Sequence, residues 1–74
     1  MEKVEKVKSF LMEINPYVEI NEDTNLFEEV LDSMALIILI TQLEAEYNLV
    51  IELEKINIED FLTINNIVNM IENA

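Results

Sequence analysis

The chain has 74 residues, a length that allows one small domain with a modest core. It contains neither cysteine nor histidine, so disulfides are excluded and the usual ligands of zinc and of the transition metals are absent. Sixteen acidic residues against four basic ones give a net charge of −12, which disfavours binding to nucleic acid and to anionic lipid. We therefore expect a single domain over residues 1–74 that is stabilised by packing alone, with no metal site and no nucleic-acid partner.

The balance of apolar and loop-forming residues favours helices. Apolar residues make up 51% of the chain, whereas glycine is absent and there is one proline. The longest apolar run, Met34 to Ile40, is far too short to span a membrane, and Met1 leads directly into an amphipathic pattern without a signal peptide. We expect a cytoplasmic monomer without membrane insertion. Its negative charge either steers it towards basic patches on partner proteins or only keeps it soluble.

The first half of the chain predicts one helix and one long connection. Apolar residues at helical spacing predict an amphipathic helix over Glu2 to Ile14, which Pro16 ends because the residue before a proline avoids the α region. The segment from Asn15 to Asp32 is mostly polar and has no clear period. A connection of this length is often functional. Four apolar side chains are expected to pin it to the core: Leu26, Phe27, Val30 and Leu31.

A second helix is predicted from Asp32 or Ser33 to about Tyr47, with apolar side chains on two sides. One side gathers Leu36, Leu39, Ile40, Leu43 and Tyr47. The other gathers Met34, Ile37, Ile38, Thr41 and Ala45. Burial of both sides is hard to achieve in so short a chain, so we expect the second set to face a partner protein. The alternative is that Ile38 packs under the connection from Asn15 to Asp32.

The last third of the chain predicts two further helices. Asn48 is expected to end the second helix in the left-handed conformation, since asparagine is the next best residue after glycine. Leu49 to Leu53 is predicted to be an extended connector. Asn57 is the predicted cap of a short helix that reaches Phe61, and Thr63 is the predicted cap of a last amphipathic helix. The predicted fold is an all-α bundle of four helices, three main ones and one short one.

Catalysis by this chain and a calcium site are both disfavoured. Without histidine and cysteine, the usual Ser-His-Asp and Cys-His arrangements are impossible, so we expect a non-catalytic protein. Asn21, Asp23 and Asn25 alternate as at the start of an EF-hand loop. The sixth position of that loop requires glycine and holds Leu26, and the twelfth requires glutamate and holds Asp32. The segment is therefore predicted to be a solvated turn.

The tripeptide Asp32-Ser33-Met34 stands at the predicted start of the second helix. Asp and Ser are ordinary helix-capping residues, so the tripeptide alone has little specificity. A helix N-terminus also offers free N–H groups and the positive end of its dipole, which suit a phosphate ester on Ser33. Asp32 is placed to help orient a Mg²⁺-bound donor of such a group.

The sequence around this tripeptide is similar to a known family. A long first connection with Leu26-Phe27, an apolar second helix that ends in Leu43-Glu44-Ala45-Glu46-Tyr47, and a last helix that opens with Thr63-Ile64 accompany Asp32-Ser33-Met34. Together, over nearly the whole chain, they resemble the acyl carrier protein family, which includes peptidyl and aminoacyl carriers. The resemblance implies a four-helix bundle in which a phosphopantetheinyl transferase attaches 4'-phosphopantetheine to Ser33, with Asp32 orienting the motif. Because the chain has no cysteine, the arm would supply the thiol of any thioester.

Departures from the family pattern bear on the pathway. Fatty-acid carriers usually have leucine after the serine and acids along the second helix, whereas Met34, Ala35 and Ile38 stand at these places here. The sequence is more similar to peptidyl and aminoacyl carriers, including D-alanyl carriers, in which Asp-Ser-Met also occurs. The resemblance implies a free-standing carrier in a specialised aminoacyl, peptidyl or polyketide-type pathway.

The resemblance also implies several partner enzymes. Besides the transferase, these are an acyl- or aminoacyl-loading ligase and downstream synthases or transferases. The expected contact residues are Met34, Ile37, Ile38, Thr41, Glu44 and Ala45. The alternative is a carrier-like helical module that binds a partner protein and is not phosphopantetheinylated.

Overall fold

The computed structural model describes residues 2–73. Within them four α-helices and two 3₁₀ helices follow one another, and no strand is formed. The helices are α1 (Glu2–Ile14), α2 (Leu26–Glu29), α3 (Ser33–Tyr47), the 3₁₀ helices Leu53–Lys55 and Ile58–Phe61, and α4 (Ile64–Glu72). The predicted all-α bundle is confirmed. The predicted domain also includes Met1 and Ala74, which lie outside the described residues.

α1 has the predicted bounds and forms one wall of the bundle. Its buried residues are Val4, Val7 and Leu11, which recur on one face because of the helical period. This face allows α1 to pack against both α3 and α4. Asn15 then accepts a hydrogen bond on its Oδ1 from the N–H of Tyr17 at 3.1 Å, which turns the chain out of the helix.

α2 is an element that the sequence did not predict, because four residues are too few to show a period. Its cap is Asn25, whose Oδ1 accepts hydrogen bonds from the N–H groups of Phe27 and Glu28 at 3.1 and 3.3 Å. The N–H of Leu26 donates to the carbonyl of Leu62 at 2.8 Å. The segment between α1 and α3 is therefore tied to the chain just before α4.

The predicted anchoring of this segment is confirmed. Leu26 and Leu31 are buried, and Phe27 and Val30 are half-buried against the core. Ile20 is buried as well, at the middle of the stretch between α1 and α2. The long connection therefore follows the bundle closely and brings the chain to a defined point at the start of α3.

α3 also has the predicted bounds, and its two sides differ in exposure. Its inner side is buried or half-buried and comprises Leu36, Leu39, Ile40, Leu43 and Tyr47. On its outer side Met34 is 73% exposed, Ile37 51% and Ile38 45%. Ile38 is therefore not buried under the segment between α1 and α3, and the outer side of α3 is much more exposed than its inner side.

The residues that end and start the later helices were correctly predicted. Asn48 adopts the left-handed conformation with φ 54° and ψ 47°, and its N–H donates to the carbonyl of Glu44. Asn57 caps the second 3₁₀ helix through its Oδ1, and Thr63 caps α4 through its Oγ1. The predicted connector from Leu49 to Leu53 is extended only up to Glu52, because Leu53 begins the first 3₁₀ helix.

One apolar core joins these elements. Its members come from all four α-helices, from the second 3₁₀ helix and from the segments before and after α2, and no polar or charged residue of the described chain is buried with them. The largest fully buried side chains are Phe61, Leu11, Ile20, Leu26, Leu39, Leu43, Ile64 and Ile67. No helix within residues 2–73 is long and apolar enough to cross a membrane.

We expect Asn48→Ala to lower the free energy of unfolding by about 1 kcal/mol, because alanine is strained in the left-handed region. Asn48→Gly is the matched control and should equal or exceed the wild type, since glycine has no Cβ. Urea denaturation followed by circular dichroism measures both variants. An equal loss in the two variants would show that the asparagine side chain, and not the backbone conformation, is what matters.

Candidate functional site

The candidate site is the corner where the chain passes from α2 into α3. α2 ends when the N–H groups of Val30 and Leu31 both donate to the carbonyl of Leu26, at 2.8 and 2.7 Å. Leu31 is buried and so is Ala35, whereas the three residues between them are exposed. The two buried side chains therefore hold Asp32-Ser33-Met34 at the surface.

Asp32 is the N-cap of α3. Its backbone is extended, and its Oδ1 accepts a hydrogen bond from the N–H of Ala35 at 2.8 Å. Its carbonyl accepts another from the N–H of Leu36 at 2.9 Å. The Ala35 N–H is one of the four N–H groups that a helix leaves free at its start, whereas the Leu36 bond is the first bond of the helix itself. The bond from Ala35 also fixes the Asp32 carboxylate beside Ser33.

Ser33 is the first residue of α3, and its side chain is exposed. Within residues 2–73 the N–H groups of Ser33 and Met34 have no hydrogen-bond acceptor. A helix of 15 residues also presents the positive end of its dipole at this point. A phosphate ester on the Ser33 oxygen would lie beside two free donors, so the residues present fit a phosphopantetheine arm.

The outer side of α3 continues directly from Ser33. We call Met34, Ile37, Ile38, Thr41 and Ala45 the α3 stripe; all five are exposed. The Oγ1–H of Thr41 donates to the carbonyl of Ile37 at 2.9 Å, so this hydroxyl is satisfied within the helix. The α3 stripe therefore presents a mainly apolar surface beside the serine.

Glu44 is a predicted partner contact, but unlike the residues of the α3 stripe its side chain forms a hydrogen bond within the chain. It is half-buried, and its Oε2 accepts a hydrogen bond from the N–H of Ile51 at 3.0 Å. This bond ties the extended connector to the end of α3. The carboxylate of Glu44 is thus engaged within the chain at the edge of the stripe.

Ala35 corrects one interpretation of the sequence. Like Ile38, it stands at a place where fatty-acid carriers commonly have acids along this helix. Ala35 is only 7% exposed and packs in the core, because it lies on the inner side of α3. Its identity therefore reflects packing, and Ile38 alone of the pair lies on the exposed side.

The segment that was compared with an EF-hand forms a turn linked to α4. The N–H of Asn21 donates to the Oγ1 of Thr24 at 2.8 Å, and the N–H of Thr24 returns to the carbonyl of Asn21 at 3.2 Å. Asp23 accepts a hydrogen bond from the side chain of Asn65 at 3.2 Å. Across the described part of the chain, no cluster of three acidic, histidine or cysteine side chains is arranged to hold a metal.

A comparison with models of protein families shows to which family the chain belongs. Residues 5–72 match the model described as phosphopantetheine attachment site. The chain belongs to the phosphopantetheine attachment family. No curated protein and no solved structure gave a match.

The phosphopantetheine attachment family supplies the cofactor and the general role. Its domain is the site at which 4'-phosphopantetheine is attached covalently, and the domain acts as a carrier of acyl groups. The resemblance to acyl and peptidyl carriers and the expected cofactor are therefore confirmed. Family membership also implies a modifying transferase and biosynthetic enzymes as partners in general.

Sequence reasoning missed the short helix α2 and its two exposed acids, which precede the candidate corner. Glu28 and Glu29 are exposed, and they lie a few residues before Ser33 in the chain. The signal was the spacing of Asn25 and Glu28, which is that of a helix cap followed by an acid at the third position. Such spacing is weak evidence for a helix when no helical period accompanies it. The sequence therefore predicts a connection at this place.

The pKa of the Tyr47 phenol is raised, because burial disfavours the phenolate and the nearby Glu46 and Glu2 repel it. Tyr47 is the last residue of α3, whereas Ser33 is the first. This perturbed group therefore lies at the opposite end of the helix from the attachment corner and takes no part in it.

We expect Asp32→Ala to lower the free energy of unfolding by about 1 kcal/mol, because the Ala35 N–H loses its acceptor. Asp32→Asn keeps an oxygen in the same place and should stay within about 0.5 kcal/mol of the wild type. Urea denaturation of the three proteins tests this. Equal losses in both variants would mean that the charge of Asp32 on the helix dipole, and not its hydrogen bond, stabilises α3.

Proposed function

We propose that Ser33 carries the 4'-phosphopantetheine arm and that the protein holds acyl or aminoacyl groups on it as thioesters. The observation that supports this assignment is the position of Ser33 in the structure. Its side chain is exposed at the N-terminus of α3, next to two N–H groups without acceptors, in a chain of the phosphopantetheine attachment family. These are the features that a phosphodiester needs.

Each residue of the corner has a separate part in this proposal. The Ser33 oxygen would form the bond to the phosphate that bears pantetheine, while the pyrophosphate bond of coenzyme A breaks, adenosine 3',5'-bisphosphate leaves and the Ser33 proton passes to the transferase. The N–H groups of Ser33 and Met34 and the dipole of α3 stabilise the negative charge of the phosphate. Asp32, fixed by the Ala35 N–H, helps to place the Mg²⁺-bound coenzyme A donor when the transferase acts.

The chain itself supplies attachment and tethering and does no chemistry on the cargo. The arm, when bound, supplies the thiol, which no residue of this chain offers because cysteine is absent. A tethered group meets the active site of a docked enzyme at a high effective concentration. The partners in this proposal are a phosphopantetheinyl transferase, a loading ligase, and downstream synthases or transferases, all acting in the cytoplasm.

The α3 stripe is the proposed contact surface for these enzymes. Its five members are exposed and begin at the residue after Ser33, so an enzyme that covers the stripe also reaches the arm. Apolar side chains exposed along one helix side are typical of a protein interface. Glu44 lies at the edge of this surface, and its contribution is to hold the connector in place through Ile51.

The pathway that we propose is a specialised aminoacyl, peptidyl or polyketide-type pathway. Ile38 supports it, because it is exposed on α3 where fatty-acid carriers commonly have an acid, and Met34 stands where they usually have leucine. Ala35 gives no support, since it is buried. A neighbouring gene for an adenylating ligase would favour an aminoacyl or aryl cargo, whereas ketosynthase genes would favour chain building.

Intact-mass measurement tests the attachment site directly. Incubation of the wild type with coenzyme A, Mg²⁺ and a broad-specificity transferase should add one phosphopantetheine, and Ser33→Ala should abolish the addition. Ser9→Ala is the matched control, because Ser9 is the other serine of the chain and is exposed on α1. It should be modified like the wild type. Modification of Ser33→Ala, or none of the folded wild type, contradicts the proposal.

The exposed stripe also favours a second candidate function, a module that binds a partner protein without carrying the arm. In that case binding would survive Ser33→Ala and fail in Ile38→Asp, since a charge in the stripe must be desolvated on contact. Pull-down of a partner with the unmodified and the modified protein separates the two functions. If binding requires the arm, the module without phosphopantetheine is excluded.

A further inference from the structure

The chain offers few side chains that a mild oxidant can attack. Cysteine, histidine and tryptophan are absent, and the sequence contains four methionines. Peroxides oxidise the thioether of methionine to a sulfoxide, and reductases can reverse this change. Methionine is therefore the side chain at which the protein without its arm is most readily oxidised.

The three methionines within residues 2–73 differ in exposure. Met34 is 73% exposed and Met12 is 43% exposed, whereas Met70 is half-buried and packs against the core. An oxidant in the solvent must reach the sulfur, so the most accessible side chain reacts first. The structure thus ranks Met34 before Met12, and Met12 before Met70. Met1 lies outside the described residues and has no place in this ranking.

We propose that Met34 is a site of reversible oxidation by hydrogen peroxide and that its sulfoxide weakens the docking of enzymes that act at Ser33. A lone pair of the Met34 sulfur forms the bond to one peroxide oxygen, the O–O bond breaks, and the other oxygen leaves as water. The sulfur is thereby oxidised by two electrons and the peroxide is reduced by two. A methionine sulfoxide reductase returns the thioether with two electrons from a pair of thiols, which become a disulfide while the oxygen leaves as water.

The position of Met34 places this change beside Ser33 and away from the core. Met34 directly follows Ser33 in α3, and the side chains of a helix lean towards its N-terminus. The thioether therefore leans over the turn that bears the serine. Met34 does not belong to the apolar core, so we expect its sulfoxide to leave the fold intact.

Oxidation changes what Met34 offers to an enzyme. The thioether is apolar and flexible, so it can adapt to the surfaces of different partners. The sulfoxide is polar, and it loses hydrogen bonds to water when an apolar surface covers it. Ile37 and Ile38 are the other large apolar side chains of the α3 stripe, so one of three is altered. This effect rests on the proposed function, because it requires the α3 stripe to be the contact surface.

Limited oxidation with hydrogen peroxide tests the site itself. The protein without its arm is used, since the thiol of the arm would also react. Digestion after glutamate separates the three methionines, because Glu13 and Glu59 lie between them. Mass spectrometry then follows the gain of about 16 Da on each peptide. We expect Met34 to be oxidised before Met12 and Met70. Faster oxidation of either of these would overturn the proposal.

Arm transfer by a broad-specificity phosphopantetheinyl transferase tests the consequence, after catalase has removed the peroxide. We expect oxidation to lower kcat/KM of the wild type roughly fivefold, because the sulfoxide must be desolvated on docking. Treatment with reductases for both sulfoxide epimers should restore it. Circular dichroism should show the same helical signal before and after oxidation. A loss of this signal would mean that unfolding, and not weaker docking, lowers kcat/KM.

Two variants assign the sensitivity to one residue. Met34→Leu keeps an apolar side chain of similar volume but has no sulfur, and Met12→Leu is the matched control. Each variant is compared with its own untreated sample. We expect oxidation to change kcat/KM of Met34→Leu by less than about twofold and to lower that of Met12→Leu as much as in the wild type. An equal loss in Met34→Leu would place the sensitivity on another residue.

The outcomes separate this proposal from the proposed function. If the untreated wild type receives no arm, the proposed function fails, and the effect on docking fails with it. The peptide masses still decide in that case whether Met34 is oxidised first. If the arm is added equally well before and after oxidation of Met34, the sulfoxide does not weaken docking and the proposal is wrong.

Discussion

Leu31 and Ala35 are both buried, and the three residues between them project from the surface. The candidate site depends on this constraint, which buries the first and last of five residues and exposes the three between them. Burial of the two apolar side chains fixes the backbone on either side, and the hydrogen bond from the Ala35 N–H to Asp32 sets the first turn of α3. With the turn fixed, the free N–H groups and the helix dipole point at the place where a phosphate on Ser33 would lie.

The size of the protein explains why α3 has an apolar outer side. The inner side of α3 already contributes Leu39, Ile40 and Leu43 to a core that α1, α4 and the second 3₁₀ helix complete. Within residues 2–73 every other α-helix contributes to the core, and the apolar residues on the outer side of α3 stay exposed. The apolar residues that remain exposed there cost solubility, which the net charge of −12 offsets. The exposed α3 stripe and the acidic composition therefore have opposite effects on solubility, and the second compensates for the first.

Features with a local cause were predictable from the sequence, and features with a tertiary cause were not. α1 and α3 follow from the helical period, and Asn48, Asn57 and Thr63 follow from capping chemistry that acts within a few residues. α2 is too short for a period and is held by a bond from Leu26 to the distant Leu62. The engagement of Glu44 with Ile51 depends in the same way on how the folded chain returns on itself. The burial of Ala35, by contrast, follows from the helical period, since Ala35 lies one turn before the buried Leu39. Ser33 could thus be predicted as the candidate residue from the sequence, whereas the contacts of its neighbours could not.

A carrier has to bind several enzymes in turn, and this requirement limits how strongly it can hold any of them. A contact made only of apolar area gains affinity mainly by slowing dissociation, which would delay the handover of cargo. Charges at the rim act chiefly on association, so they raise the encounter rate without prolonging the complex to the same degree. The α3 stripe exposes three large apolar side chains, Met34, Ile37 and Ile38, so an enzyme that covers it would gain only a modest apolar contact.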